Sequence, residues 1–231
     1  MSAEDQKRIC GVAAAALVED GMLVGLGTGS TAKHFVDALA ARMVKEGLKI
    51  RAVSTSTVTE DQARALGIPL LTLDEVETID LTVDGADEIG PGLSLIKGGG
   101  GALLREKLVW EASRRCVVIA DAAKHVVRLG KFPLPVEVVA FGHTGTSRRL
   151  FDALAECDIG AAPRLRSRDG RPFITDSGNV IYDIACGVIE DPSALADALK
   201  SVTGVVEHGL FLDRADEVLI GTDSGVDRRS P

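Results

Sequence analysis

The chain has 231 residues, of which 45% are hydrophobic and 26% charged, a length and balance that allow a sizeable core and exclude an intrinsically disordered chain. A net charge of -8 argues against nucleic acid as a bulk partner, because a phosphate backbone calls for a basic face, yet a single small anion needs only local N–H donors and a lysine or two. Cys10, Cys116, Cys157 and Cys186 are far apart, with no Cys-x-x-Cys and no His pair at zinc spacing, and read as reduced thiols. The opening MSAEDQKRICGVAAAALVEDGM is neither a signal peptide nor a membrane span, so a cytoplasmic protein without membrane contact is expected.

In chain order, the periodicity predicts an opening helix over about 3–19, a strand from Met22 to Leu26, the loop Gly27-Thr28-Gly29-Ser30-Thr31, and a helix from Ala32 to about Glu46. The unit recurs with a strand at Ile50 to Val53, the polar loop Ser54 to Thr57, and a helix from Val58 to Leu66 stopped by Gly67. A short strand near Pro69 to Thr72 follows. Ile79 to Val83 is then a strand running into Asp84-Gly85-Ala86-Asp87-Glu88. A helix from about Ala102 to Arg114 precedes the strand Cys116 to Ala120 and the loop Asp121 to Lys124. Such alternation implies a mostly parallel, Rossmann-like sheet flanked by helices.

After Pro133 and Pro135 the pattern changes. It predicts strands at Val136 to Phe141, Arg164 to Arg168, Pro172 to Thr175, Asn179 to Ile184 and from Val205, with helices at Ser147 to Glu156 and Pro192 to Lys200. This describes a smaller α+β (ferredoxin-like) domain over 133–207, leaving 1–132 plus 208–231 as the catalytic Rossmann-like domain, with Glu217 to Ile220 rejoining its sheet.

In an open parallel sheet, ligands bind beyond the carboxyl ends of the strands, where loops meet and helix N-termini point outward. Four unusual segments fall there: Gly27 to Thr31, Ser54 to Thr57, Asp84 to Glu88, and Asp121 to Lys124. The first can be a phosphate loop or a plain capped turn. Gly27-x-Gly29-x-x-Ala32 also fits a dinucleotide fingerprint, but the second strand ends in Ser54-Thr55-Ser56-Thr57 rather than an acid, which disfavours a nicotinamide cofactor. The carboxylates of Asp84, Asp87 and Glu88 can serve a sugar and its protons, a cation, or only solvent. Lys97-Gly98-Gly99-Gly100-Gly101 is either a hinge or a set of bare amides facing an anion, and Arg105-Glu106-Lys107 by itself is an ordinary solvated helix face.

Taken together, GLGTGSTA (25–32), VDGADEI (83–89), KGGGGALLREK (97–107), IADAAK (119–124), GKFPLPVEV (130–138), ITDSGNVIYD (174–183), GVVEHGLF (204–211) and VLIGT (218–222) resemble the type A ribose-5-phosphate isomerases over nearly the whole chain. The resemblance implies a two-part α/β subunit, dimeric or higher, that isomerises a small sugar phosphate with no cofactor and no metal. It implies that Thr28, Gly29, Ser30 and Thr31 line the substrate site, with Lys124 and Lys7 assisting at the phosphate. Asp84 and Asp87, in the turn with Gly85 and Ala86, would meet the sugar hydroxyls; Lys97, Gly98, Gly99 and Gly100 would wrap the reacting end; and Glu106 would be the base. Two departures stand out: Gly101 where the family often has Ala, and Ser177 where it has Asn. The mechanism so implied opens the sugar ring with Asp84 or Asp87, then moves a proton from C2 to C1 through an ene-diolate, with Glu106 shielded from water. A sugar-phosphate sensor and a nicotinamide-dependent dehydrogenase are the competing readings; the first lacks a helix-turn-helix or basic stretch, the second its acid.

Overall fold

The computed structural model describes residues 1–231. Its first part contains α1 (Ala3–Ala15), β1 (Leu23–Leu26), α2 (Ser30–Glu46), β2 (Arg51–Ser54), α3 (Thr57–Ala65) and β3 (Leu81–Gly85). There follow β4 (Glu88–Ile89), β5 (Leu95–Ile96), α4 (Leu103–Glu111), β6 (Cys116–Asp121), β7 (Leu134–Val138) and α5 (His143–Glu156). Next come β8 (Arg164–Leu165), β9 (Ser167–Arg168), β10 (Arg171–Pro172), β11 (Val180–Ile184) and α6 (Pro192–Ser201). The chain ends with β12 (Val205–His208), β13 (Leu210–Phe211), β14 (Glu217–Thr222) and β15 (Gly225–Arg229). No helix is long and apolar enough to cross a membrane.

The chain divides into two compact units, one of 1–86, 105–125 and 213–231, the other of 87–104 and 126–212. In the first, a six-stranded sheet runs β15-β14-β6-β3-β1-β2, parallel throughout except for the β14–β15 pair. Strands covered on both faces must be apolar at every position rather than at alternate ones, and β1 and β6 are buried along their whole length. The main core joins Cys10 and Ala14 of α1 and Phe35 and Leu39 of α2 to Leu26, Val83, Ile119 and Leu219. A smaller cluster of Leu23, Val53, Ile79 and Val109 gathers separately.

In the second unit, β12-β7-β11-β8 is an antiparallel sheet. Its apolar residues Val136, Val138, Val180 and Ile184 share one core with Leu150 and Leu154 of α5 and Leu195 and Leu199 of α6, the expected two helices and sheet of an α+β unit. The Asp191 side chain caps α6 by accepting from the N–H groups of Ser193 and Ala194.

The structure corrects several sequence expectations. The opening helix stops at Ala15, after which Leu17 and Val18 donate to carbonyls three residues back and the chain turns toward β1. Pro69 to Thr72 makes only an isolated parallel bridge, Leu70 to Ala52. The strand predicted from Val136 to Phe141 begins at Leu134, so that Pro135 lies inside a central strand: the ladder to β12 begins at Val136, and the Pro135 carbonyl accepts from the Gly209 N–H at 2.8 Å. Phe141 is exposed beyond the strand. Glu217–Thr222 does rejoin the first sheet beside β6, and the unforeseen β15 lies antiparallel at the edge.

The unit boundaries also differ from 1–132 plus 208–231 and 133–207. Two-residue strands β4 and β5 pair with each other, and β5 pairs with β13, which ties 87–104 and 208–212 to the second unit. Glu88, buried, adds a second tie by accepting from the N–H groups of Gly130 (2.7 Å) and Phe132 (2.5 Å).

Candidate active site

In the first unit the predicted site residues collect at the carboxyl ends of β1, β2, β3 and β6. Gly27 lies so close to Asp84 that a Cβ there would sit 2.2 Å from its Oδ1, so the loop leaves β1 over a buried carboxylate. That Oδ1 accepts from the Thr28 N–H at 3.0 Å and from the Gly85 N–H at 2.7 Å. The Thr28 hydroxyl lies 2.7 Å from those of Thr55 and Ser56 and 3.3 Å from that of Thr59, and Thr59 donates to the Gly27 carbonyl at 2.9 Å. Four hydroxyls thus pin the loop to the start of α3, where Ser56 is the N-cap.

Gly29 then turns with φ 105°, and α2 begins at Ser30 with no side-chain cap. Its first-turn N–H groups therefore face outward, a setting that favours an anion. Ser30 is exposed, and its Oγ accepts from Lys7 Nζ at 3.0 Å; Thr31 is buried. Lys124, half-buried, closes the short turn after β6, on the same sheet edge. Glu106 lies in the first turn of α4 with 4% exposure, where the helix dipole favours a carboxylate. The resemblance, and not the charged Arg105-Glu106-Lys107 pattern, pointed to this residue.

In the second unit the glycine run is an ordered turn. Lys97, 2% exposed, donates its N–H to Gly209 O at 2.9 Å and holds its ammonium 5.4 Å from the centre of the Phe211 ring. Gly98 (φ 102°) and Gly101 (φ 86°) both take conformations that L side chains rarely adopt, and Gly101 N–H closes the turn on Gly98 O at 3.0 Å. Gly99 and Gly100 form the exposed tip, and Gly99 N–H donates to Asp87 Oδ2 at 2.7 Å. Arg166 donates from Nη1 to the carbonyls of Gly98 (2.9 Å) and Gly99 (3.2 Å), while its Nε and Nη2 grip both carboxylate oxygens of Asp183.

Asp84, Asp87 and Glu88 do not act as one acidic cluster. Asp84 supports the first loop, Asp87 binds the glycine turn, and Glu88 holds the backbone at Gly130 and Phe132. No three His, Cys, Asp or Glu side chains are grouped to hold a metal ion. Sequence reasoning missed the roles of Glu88, Thr59 and Arg166. Ser56-x-x-Thr59 carried a helix-start signal, whereas Arg166 stands among exposed Arg164, Arg168 and Arg171 and reads as part of a solvated hairpin.

Burial pushes the thiols up: Cys10 to about 11, Cys186 to about 11, and Cys116 to about 12, the last helped by the charge of Asp216. They behave as core residues, not nucleophiles.

Buried carboxylates at a strand end and a helix start, with hydroxyls on the adjoining loops of the same parallel sheet, put the chain in the class of α/β enzymes. Residues 51–225 match the family model described as ribose 5-phosphate isomerase A (phosphoriboisomerase A). Over 100% of both chains the sequence is 70% identical to ribose-5-phosphate isomerase A of Caulobacter vibrioides, and it is 52% identical to that of Parvibaculum lavamentivorans over 98% of each. Ribose 5-phosphate isomerase A from Methanocaldococcus jannaschii superposes with a TM-score of 0.90 at 41% identity, covering 100% of both chains. A D-ribose-5-phosphate isomerase in complex with phospho-erythronic acid gives 0.93 at 36% identity, again over 100% of both. The chain belongs to the ribose 5-phosphate isomerase A family of aldose–ketose isomerases.

Proposed function

We propose that the protein interconverts D-ribose 5-phosphate and D-ribulose 5-phosphate, a step of the non-oxidative pentose phosphate pathway, by carboxylate-mediated proton transfer through an ene-diolate. The observation that carries this reading is the burial of Glu106 in the first turn of α4. A carboxylate removed from bulk water is a stronger base toward carbon than a solvated one, and no external oxidant or reductant is required. Asp84 or Asp87 opens the sugar ring. Asp87 is half-buried and Asp84 is 0% exposed, which favours Asp87 for contact with a hydroxyl and Asp84 for supporting the Thr28 loop.

Glu106 takes the C2 proton, the electrons of that C–H bond form the C1–C2 double bond, and the C1 carbonyl oxygen gains the negative charge. Lys97 and the amides of Gly98 and Gly100 stabilise that charge, the Gly99 amide being held by Asp87. Glu106 then returns its proton to C1 while the O2 proton passes to O1, which leaves a ketone at C2. The phosphate binds at the start of α2, where Gly29, Ser30 and Thr31 offer N–H groups and hydroxyls and Lys7 and Lys124 add positive charge.

The protein works without metal or organic cofactor, as a homodimer or higher homo-oligomer, in the cytoplasm. The support is the family, the complex of a 36% identical relative with phospho-erythronic acid, and the site geometry above.

The test is conversion of ribose 5-phosphate by purified protein with a chelator present, beside Glu106→Gln. The variant should lose at least about a hundredfold in kcat with KM changed little. Turnover within tenfold of the parent would remove Glu106 as the base, and no turnover by a folded parent would end the isomerase reading.

A further inference from the structure

We infer that Arg166, locked by Asp183, is a positioning residue for the glycine turn, and through it for Asp87 and Lys97; as a statement about catalysis this rests on the isomerase reading. A run of four glycines has more backbone freedom than any other tetrapeptide, so amides meant to meet developing charge must be held by something outside the run. Two groups hold this one. Asp87 Oδ2 takes the Gly99 N–H at 2.7 Å, and Arg166 Nη1 takes the carbonyls of Gly98 and Gly99 at 2.9 and 3.2 Å. The Gly98–Gly99 peptide is thereby fixed by its oxygen, which sets where the Gly99 N–H points and how the chain leaves Lys97.

The guanidinium is itself gripped from the other side. Its Nε and Nη2 meet Asp183 Oδ2 and Oδ1 at 2.8 and 2.5 Å, a two-point grip that leaves Nη1 aimed at the turn. The Arg166 side chain is only 15% exposed, and it lies 5.9 Å from the centre of the Phe173 ring. Its backbone is held too, by its N–H to Ile181 O at 2.8 Å and by the Phe173 N–H to its own carbonyl at 2.9 Å. A lysine could reach either Asp183 or the carbonyls, but its single ammonium cannot reproduce the planar fork that does both.

The test uses Arg166→Lys in the full chain, with two readouts. Amide hydrogen exchange at Gly99 and Gly101 should quicken by tenfold or more, and kcat for ribose 5-phosphate should fall by tenfold or more, with KM within about threefold and the thermal midpoint little moved. Asp183→Asn should change both readouts in the same direction, and the double variant should be no worse than Arg166→Lys alone, because the pair acts as one unit. Unchanged exchange in Arg166→Lys overturns the clamp, and faster exchange with a smaller loss of kcat overturns its role in catalysis. If the parent itself does not isomerise, the functional reading fails instead, and the exchange measurement still decides the clamp.

Discussion

Two loops of this protein carry its candidate chemistry; each has an aspartate on a backbone amide, and they differ in what else holds them. The Gly27 to Ser30 loop of the first unit has the Asp84 carboxylate on its Thr28 amide and is pinned besides by neutral hydroxyls, with Thr28, Thr55, Ser56 and Thr59 bonded to one another and to the loop backbone. The Gly98 to Gly101 turn of the second is pinned by charge, with a guanidinium on its carbonyls and a carboxylate on its amide. The hydroxyl network is redundant, since Thr59 reaches Gly27 without Thr28. In the charged clamp each contact is made once, save that the Gly98 carbonyl also accepts from the Gly101 N–H. Loss of a member should therefore be shared in the first loop and concentrated in the second.

The largest expected effect comes from overfilling the second loop. A Cβ on Gly101 would sit 2.4 Å from Phe173 Cε1, in a backbone conformation with φ 86°. Gly101→Ala should cost about 2–4 kcal/mol in urea unfolding, combining overpacking with left-handed strain. Phe173→Ala in the same chain should return the overpacking part. If the double variant is as unstable as the two losses added together, the ring is not the obstacle.

A smaller effect should follow Thr28→Val, which keeps the shape but removes the hydroxyl shared by three neighbours. It should cost about 1–3 kcal/mol and raise KM for a phosphorylated substrate more than it lowers kcat, while Thr28→Ser should recover most of the stability. A kcat loss as deep as that of Arg166→Lys would erase the contrast between the loops.

The smallest effect distinguishes the units by their thiols. Burial raises Cys10 and Cys116 in the first unit and Cys186 in the second, so each is neutral when folded at a pH where the unfolded chain has begun to ionise. Their contribution to stability is complete below pH 9 and falls as the pH rises from there toward 11 or 12, by up to about 1.4 kcal/mol per pH unit for each thiol. Cys157 of the second unit is also raised by burial but less, so hydrogen exchange at pH 8 and pH 10 should show the first unit, with two of the three most raised thiols, loosening more; equal loosening would refute the assignment.

The first unit was legible from sequence because parallel strands buried on both faces leave long apolar runs, and each run ended in a Gly, Ser/Thr or Asp loop. What was not legible depends on pairing over distance. β4, β5 and β13 are two residues long, too short for any period, and exist because Leu95 and Ile96 meet Phe211 and Leu210 from more than a hundred positions away. Pro135 reads as a strand breaker and lies inside one because its missing N–H falls where the β12 ladder has not begun. In the site, hydroxyls and glycines signalled themselves by type and spacing. Glu106 looks like any helix-surface acid until resemblance singles it out, and Arg166 is one arginine among several in a charged hairpin until the fold turns it toward Gly98.

The place of β14 bears on how the chain is made. Val117 of β6 pairs with Glu217, one hundred residues later, and no strand made earlier fills that side of the sheet. During translation at roughly 5–20 residues per second, β6 must wait about 5–20 s with a bare hydrogen-bonding edge on a strand that is apolar but for Asp121. β14 is thus the strand that seals this side of β6, and a pause or truncation before it would leave a sticky edge for other chains to find.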